Sequence, residues 1–599
     1  MSPVFRNALL WLLGSVVMIV AAMSSVSSAF ADGHYVPDNA DAFYHARRIL
    51  DSVMTHSPVI QFDSKIHAPE GSWLVWPWGF DTLLATITSW FGPFQNIDQA
   101  NAVLMNIPPM ATTVAVLLVV LLTRQLRLPI LHSLVLVLAF AVLPAAFRGF
   151  CVGNVDHHSM ELTCAIATMV AGAAFFREGN RSPWAPIALG ALFGFAVAMQ
   201  NGLFVLQVPI CAMLAFRWIR GQSLPDRRQV QIFAITLFVA TLVACLPSQP
   251  FRHGFFEFYT LSGFHLYVAT VVAVFSVLLS RVAFSRRNLI ILMALALVAL
   301  IPFFGTLYLA SSFVTGNLSA ITTIIEAQSP YKLYLDDPDG NALVFMSWLC
   351  WFMFPMMLVN LWWAWRKQDP MRQYLAIFCV FGLVFFQLQY RFGVYGIVPM
   401  LLTPVLFAKE IAELRPRWSR VFGLALPALF IAAYVPTAQA WSTHLVLGNN
   451  VAYGNIRSVW PKFSELCKER PGLVLADVEA GHWIRYNTDC SVIANVFLLT
   501  PQQLAKVDEN TNLLAMTPEQ LLEARKDIRY VLVFHAVLLR KDKQGKEIPI
   551  LDNLRFQMMP MERELLGPEA AIPKQFKKQW EVRSPTDQIY SRLYEIVRD

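Results

Sequence analysis

Val114-Ala-Val-Leu-Leu-Val-Val-Leu-Leu-Thr-Arg124-Gln-Leu-Arg127-Leu-Pro-Ile-Leu-His-Ser-Leu-Val-Leu-Val-Leu-Ala-Phe140 decides the fold. Two apolar stretches flank a short basic link. With their neighbours they form runs at about 97–123 and 128–148, each longer than the roughly 17 residues that cover a bilayer core. Working outward, further runs lie at about 8–29, 158–176, 183–200, 203–217, 230–246, 258–281, 288–311, 343–365, 374–389, 392–408 and 421–440. This predicts a polytopic α-helical membrane protein with about 13 transmembrane helices. After Trp441 no run is long enough to span.

Composition points the same way. Of 599 residues, 56% are hydrophobic and 15% charged, whereas soluble domains carry about a quarter charged. The net charge of +7 is spread in short clusters between the apolar runs, which argues against a nucleic-acid partner. Those clusters set the topology. With a cytoplasmic N-terminus, the inner loops hold Arg124 and Arg127, Arg177 and Arg181, and Arg217, Arg220, Arg227 and Arg228. They continue with Arg286 and Arg287, then Arg366, Lys367 and Arg372, and finally Lys409, Arg415, Arg417 and Arg420. Every second loop is basic, so the C-terminal domain is expected outside. Arg6, the first apolar run and Ser28-Ala-Phe-Ala31 also fit a cleavable signal peptide, which leaves the remaining topology unchanged.

The chain divides into a transmembrane domain, 1–440, with outer loops 32–96 and 312–342, and an outer soluble domain, 441–599. The latter reads as mixed α/β. Leu473–Ala476 and Tyr530–Phe534 are strand-like, while Pro501–Val507 and Thr517–Lys526 are helical. Cys467 and Cys490 both fall there, where an oxidising compartment would permit a disulfide.

Ionisable residues at helix mouths are functional candidates, and they gather on the outer side. Asp41-Ala-Phe-Tyr-His-Ala-Arg47 opens the first loop, and Gly153-Asn-Val-Asp156-His157-His158-Ser-Met-Glu161 forms the second. Thr323-Ile-Ile-Glu326 lies in the long later loop, and Tyr390-Arg391-Phe392 joins two helices. Two carboxylates and a histidine suit Mg2+ or Mn2+, with the imidazole tilting toward Mn2+. Each residue also has a plainer reading. Asp41 and Asp156 could be helix caps, His157 and His158 interfacial polar residues, Glu326 a solvated carboxylate, and Arg391 a snorkelling headgroup contact.

In order and on one side of the membrane, these motifs resemble the catalytic subunit of oligosaccharyltransferase, a glycosyltransferase of the GT-C fold. Asp41 with Arg47 resembles the first acidic motif. Gly153 to His158 resembles the second in its archaeal form, Thr323 to Glu326 the TIXE motif, and Arg391 the donor-binding arginine. The resemblance implies that Asp41, Asp156, His158 and Glu326 bind the metal. It implies that Asp41 and Glu326 act on the acceptor nucleophile and that Arg391 contacts the donor phosphate. The donor would be a polyprenyl-diphosphate-linked glycan, and transfer would invert the anomeric carbon.

One motif departs from the pattern. The family's WWDYG, which reads the acceptor hydroxyl, is replaced by Asp477-Val478-Glu479-Ala-Gly481-His482-Trp483-Ile484. Glu479, Gly481 and Trp483 remain as acceptor-recognition candidates. Transfer to protein is the first expectation. A GT-C enzyme modifying an envelope polysaccharide or lipid is the second, and a non-enzymatic transporter or flippase the third. The expected location is a bacterial inner membrane, among membrane lipids, with the N-terminus cytoplasmic and the C-terminal domain periplasmic.

Overall fold

The computed structural model describes residues 2–31, 33–304, 327–336, 342–414, 417, 421, 425–430, 432, 451–534, 539–541, 547–549, 558–583 and 589–598. Among them, 8 helices are long and apolar enough to cross a membrane, or 9 with one bent pair. Shorter apolar helices, such as Trp184–Met199, complete the bundle. Each expected span up to residue 408 has a counterpart helix. The last, 421–440, falls largely outside the described residues, as does Thr323–Glu326.

One expected span is broken. The run at 128–148 is helical over Ile130–Val142 and again from Pro144, with a 65° bend between. Leu143 is extended (φ −76, ψ 116) because the following proline ring disfavours the helical region there. The bend lies just before the loop that carries Asp156.

The first outer loop is structured. Helix α1 (Ala40–Thr55) starts at Asn39, whose side chain accepts the Ala42 N–H at 2.8 Å. Helix α2 (Trp78–Ser89) follows, and Gly79 lies so close to its neighbour that a Cβ would sit 2.5 Å from the Ala198 carbonyl. Helix α3 (Ile97–Gln125) and helix α4 (His158–Phe175) lead down into the bundle.

Among the described residues, the main sheet of the C-terminal region has five strands: β1 (Leu473–Leu475), β2 (Ser491–Val492), β3 (Ile528–Phe534), β4 (Phe576–Arg583) and β5 (Ile589–Ile596). They form a mixed sheet in the order β4-β5-β3-β1-β2, with β1 parallel to β2 and β3, and the last hairpin antiparallel. Side chains alternate between faces. Leu473, Leu475, Val531 and Val533 pack on one side with Leu513, Leu521 and Met561. Val474, Tyr530 and Leu532 pack on the other with Trp460, Phe463 and Trp483 of helix α5 (Ala480–Asn487). The expected helices appear as Pro501–Leu514 and Pro518–Ala524.

The second face is closed by the membrane domain's first loop, because Phe43, Tyr44, Leu74 and Val75 belong to the same apolar cluster. That loop also covers the exposed edge of β2. The Val492 N–H donates to the Lys65 carbonyl at 2.8 Å, and the Ala68 N–H donates to Val492 at 3.1 Å. Charge locks the seam. Arg485 donates to Asp63 at 3.1 Å with both side chains buried, and the Tyr44 hydroxyl donates to the same oxygen at 2.8 Å.

Cys467 and Cys490 form a disulfide (Cα–Cα 5.3 Å) across a separation of 23 residues. A loop of that length predicts about 3 kcal/mol of stabilisation. The double variant Cys467→Ser/Cys490→Ser is expected to lose about that much in denaturant unfolding of the outer domain. Asp63 gives a pH signature. Burial, the largest influence, would raise its carboxyl, but the Arg485 charge together with hydrogen bonds from the Lys65 N–H, Tyr44 and Arg485 lowers it. The seam is therefore fully stabilised above the unfolded value of about 3.9 and weakens as pH falls through the folded one. The acid limb of the melting temperature against pH is expected to flatten in Asp63→Asn.

Candidate active site

Four polar residues of α1, Asp41, Tyr44, His45 and Arg48, recur at the spacing of one helical face. That face meets α2, the loop before α4, and α5 of the outer domain. His45 Nδ1 stands 2.6 Å from Asp81 Oδ1 of α2, and Arg48 Nη1 stands 2.6 Å from Asp81 Oδ2. Arg48 also donates to the Ile60 carbonyl at 2.8 Å. All three side chains are at most 1% exposed. The Trp76 indole stacks on the His45 ring, 3.9 Å between centroids and 16° from parallel.

The loop carrying Asp156 is pinned by Gly153, which has a positive φ of 81°. A Cβ there would lie 2.8 Å from the Val36 carbonyl. The Gly153 N–H donates to Met105 of α3, and its carbonyl accepts from Asp38. Three residues on, Asp156 is buried, with its two oxygens facing different ways. Oδ1 lies 2.8 Å from His157 Nδ1 and 3.9 Å from His45 Nε2, while Oδ2 lies 3.6 Å from His158 Nε2. His158 Nδ1 lies 2.9 Å from Glu161 Oε2, and His157 Nε2 lies 3.8 Å from Glu161 Oε1. His158 is the open member, one third exposed; Asp156 and Glu161 are buried.

The electrostatics follow from burial against neighbouring charge. Burial would raise Asp156, but His158 and His157 hold its carboxyl far below the usual range. Burial would lower His157, and the Asp156 carboxylate reverses this and raises it. His45 stays lowered, because burial outweighs Asp81 there.

Asp41 lies one turn before His45, and the outer domain reaches it. His482 of α5 donates from Nδ1 to the Ala40 carbonyl at 3.1 Å, and the same nitrogen is 3.6 Å from Asp41 Oδ1. The ring is fully buried beside Tyr44, Trp76 and Phe497, and burial pushes His482 down to about 3. It is a neutral hydrogen-bond donor at this junction.

Among the described residues, two sets of donor atoms lie within 4.8 Å of one another: His45, Asp156 and His157, and His157, His158 and Glu161. Asp156 and His158 stand together. Asp41 stands beside His482, and Glu326 lies outside the described residues. Gln328, two residues after it in sequence, accepts the Tyr390 N–H at 2.9 Å, next to Arg391. Carboxylate and imidazole atoms so grouped are a donor set suited to a metal ion.

Of the acceptor candidates, Glu479 is exposed at the start of α5, while Gly481 and Trp483 are buried. A Cβ on Gly481 would meet the Ala494 carbonyl at 2.3 Å, and Trp483 packs between Tyr453 and Phe534. Sequence reasoning passed over His45, Asp81, Arg48 and His482 as site members. The helical spacing from Asp41 could have found His45 and Arg48. Asp81 reads as an ordinary first-turn acid.

No protein-family model matches the sequence, and no curated protein does. Solved structures do. The archaeal oligosaccharyltransferase AglB from Archaeoglobus fulgidus, in complex with an inhibitory peptide and a dolichol-phosphate, superposes with a TM-score of 0.75 at 17% identity. The match covers 97% of this chain and 80% of that one. The fold is that of a GT-C membrane glycosyltransferase. The Archaeoglobus fulgidus oligosaccharyltransferase in complex with zinc and sulfate gives a TM-score of 0.69 at 16% identity, covering 96% and 79%. The arabinofuranosyltransferase AftD from Mycobacteria gives 0.53 at 11% identity over all of this chain, which spans 42% of that one.

Proposed function

We propose that this chain is an oligosaccharyltransferase-like enzyme that moves a glycan from a polyprenyl-diphosphate donor to protein at the outer face of a bacterial inner membrane. The observation that carries the reading is Asp156. It is buried, with Oδ2 turned toward the open His158, on the loop that meets the helix whose first turn carries Asp41.

Asp156 and His158, with Asp41 and Glu326, would hold Mn2+ or Mg2+, which supplies charge stabilisation for the leaving diphosphate. Arg391 presents a planar guanidinium suited to bidentate contact with that diphosphate. The acceptor heteroatom forms its bond to the anomeric carbon as the bond to the diphosphate oxygen breaks, inverting the centre. The acceptor's proton passes to Asp41 or Glu326. Glu479, exposed at the head of α5, faces the acceptor side.

A second reading, transfer to an envelope polysaccharide or lipid, is favoured by Asp477-Val478-Glu479. These residues cannot form the two-indole pocket of the sequon-reading motif. It is also favoured by the likeness to the arabinofuranosyltransferase.

Glycan transfer in membranes supplied with a lipid-linked donor tests both. Asp41→Ala and Asp156→Ala are each expected to lose on the order of 100-fold or more, and EDTA is expected to abolish a transfer that Mn2+ restores. Equal transfer by wild type and both variants overturns the metal site, and no transfer by wild type overturns the enzyme reading. Mass spectrometry of the product separates a glycopeptide from an envelope glycan.

A further inference from the structure

The metal reading leaves a line of buried groups without a task. It starts at Arg48, passes through Asp81 and His45, and ends on Asp156 by way of His157. Each link is close: 2.6 Å from Arg48 to Asp81, 2.6 Å from Asp81 to His45, 3.3 Å from His45 Nε2 to His157 Nδ1, and 2.8 Å from His157 Nδ1 to Asp156 Oδ1. None of the five side chains is more than 8% exposed.

Hydrogen-bond polarity orders the line. Asp81 is a carboxylate against a guanidinium, so it accepts from His45 Nδ1–H. That places the lone pair of His45 on Nε2, where it accepts from His157 Nδ1–H at 3.3 Å. The same His157 nitrogen stands 2.8 Å from Asp156 Oδ1 in an ion-pair contact. The stacked Trp76 ring fixes the plane in which His45 points. Asp156 Oδ1 is thereby held from the protein interior, and Oδ2 is left facing His158 and the open mouth. A carboxylate on an imidazole behind a ligand is a common way of orienting metal donors.

We propose that Asp81 and His45, backed by Arg48 and Trp76, are positioning residues that fix the rotamer of Asp156 through His157, so that Oδ2 is presented to the cation. The proposal rests on the metal-dependent reading above. It adds that the affinity of the site is set from α1 and α2, at residues outside the ligand set that the resemblance implies.

The test is Mn2+ titration of the purified full-length protein, followed by electron paramagnetic resonance of free Mn2+, with melting temperature and steady-state transfer measured on the same samples. Wild type binds and Asp156→Ala does not, if the metal reading holds. Asp81→Asn and His45→Gln are expected to weaken Mn2+ binding roughly 10- to 100-fold. Saturating Mn2+ is expected to restore most of kcat, with the KM for acceptor unchanged.

Asp81→Asn removes the partner of a buried Arg48 and can fail to fold. His45→Gln leaves that pair in place and then carries the test alone. Wild-type Mn2+ affinity in a folded His45→Gln protein, beside a defective Asp156→Ala, overturns the relay while keeping the metal reading. Absence of Mn2+ binding by wild type, or equal binding by Asp156→Ala, overturns both. A uniform loss of melting temperature, with kcat not recovered by Mn2+, makes the line a structural element only and overturns the positioning role.

Discussion

A charge withdrawn from water persists only beside its opposite, and the outer end of this bundle is organised by that requirement. Arg48 and Asp81, on α1 and α2, have effectively no exposure and meet at 2.6 Å. Neither helix can shift without stranding a charge. The pair therefore fixes the angle between the two helices that line the mouth. His45 lies one turn before Arg48 on the same face, so its ring is aimed as a consequence. The same logic recurs at Asp63, which takes donors from Tyr44 of α1 and Arg485 of α5. Because Tyr44 and Arg48 are a turn apart, the seam to the outer domain and the wall of the site share one helix.

That sharing explains why the C-terminal domain sits beside the candidate site. The first loop supplies apolar residues to the domain's core and backbone partners to the edge of β2. In return, the domain supplies His482 to the N-terminus of α1. The domain and Asp41 are thus registered against one another by direct contacts. The mixed sheet needs a cover for its open edge, and the loop that provides it carries the acidic residue.

The bundle was legible because a bilayer imposes length and apolarity on every span, and because basic loops alternate. The bend at Leu143-Pro144 was hidden in a continuous apolar run, since hydropathy does not register the one residue whose backbone proline constrains. Asp41, Asp156 and His158 stand out in the sequence as ionisable residues at helix mouths. The line behind them was not. Asp81 is 36 residues from His45, and Asp156 is 111 residues beyond His45. Only tertiary packing brings them together, and nothing in the spacing of Trp78–Ser89 marks Asp81 as more than a helix-start acid. His482 was visible inside the divergent motif but had no partner in the sequence, because Ala40 and Asp41 are over 400 residues away.

The divergence of that motif becomes intelligible from packing. Gly481 and Trp483, which match the family's pattern, are the positions where the fold allows no freedom. Gly481 presses on the Ala494 backbone, and Trp483 fills space between Tyr453 and Phe534. Asp477, Val478 and Glu479, which do not match, lie at the open end of β1 and are half-buried or exposed. A side chain there can change without a cavity or a clash. The turn before α5 is thus separable from the helix that delivers His482 to Asp41. Its side chains can vary while Gly481 and Trp483 hold the helix in place, because turn and contact lie at opposite ends of the same short segment.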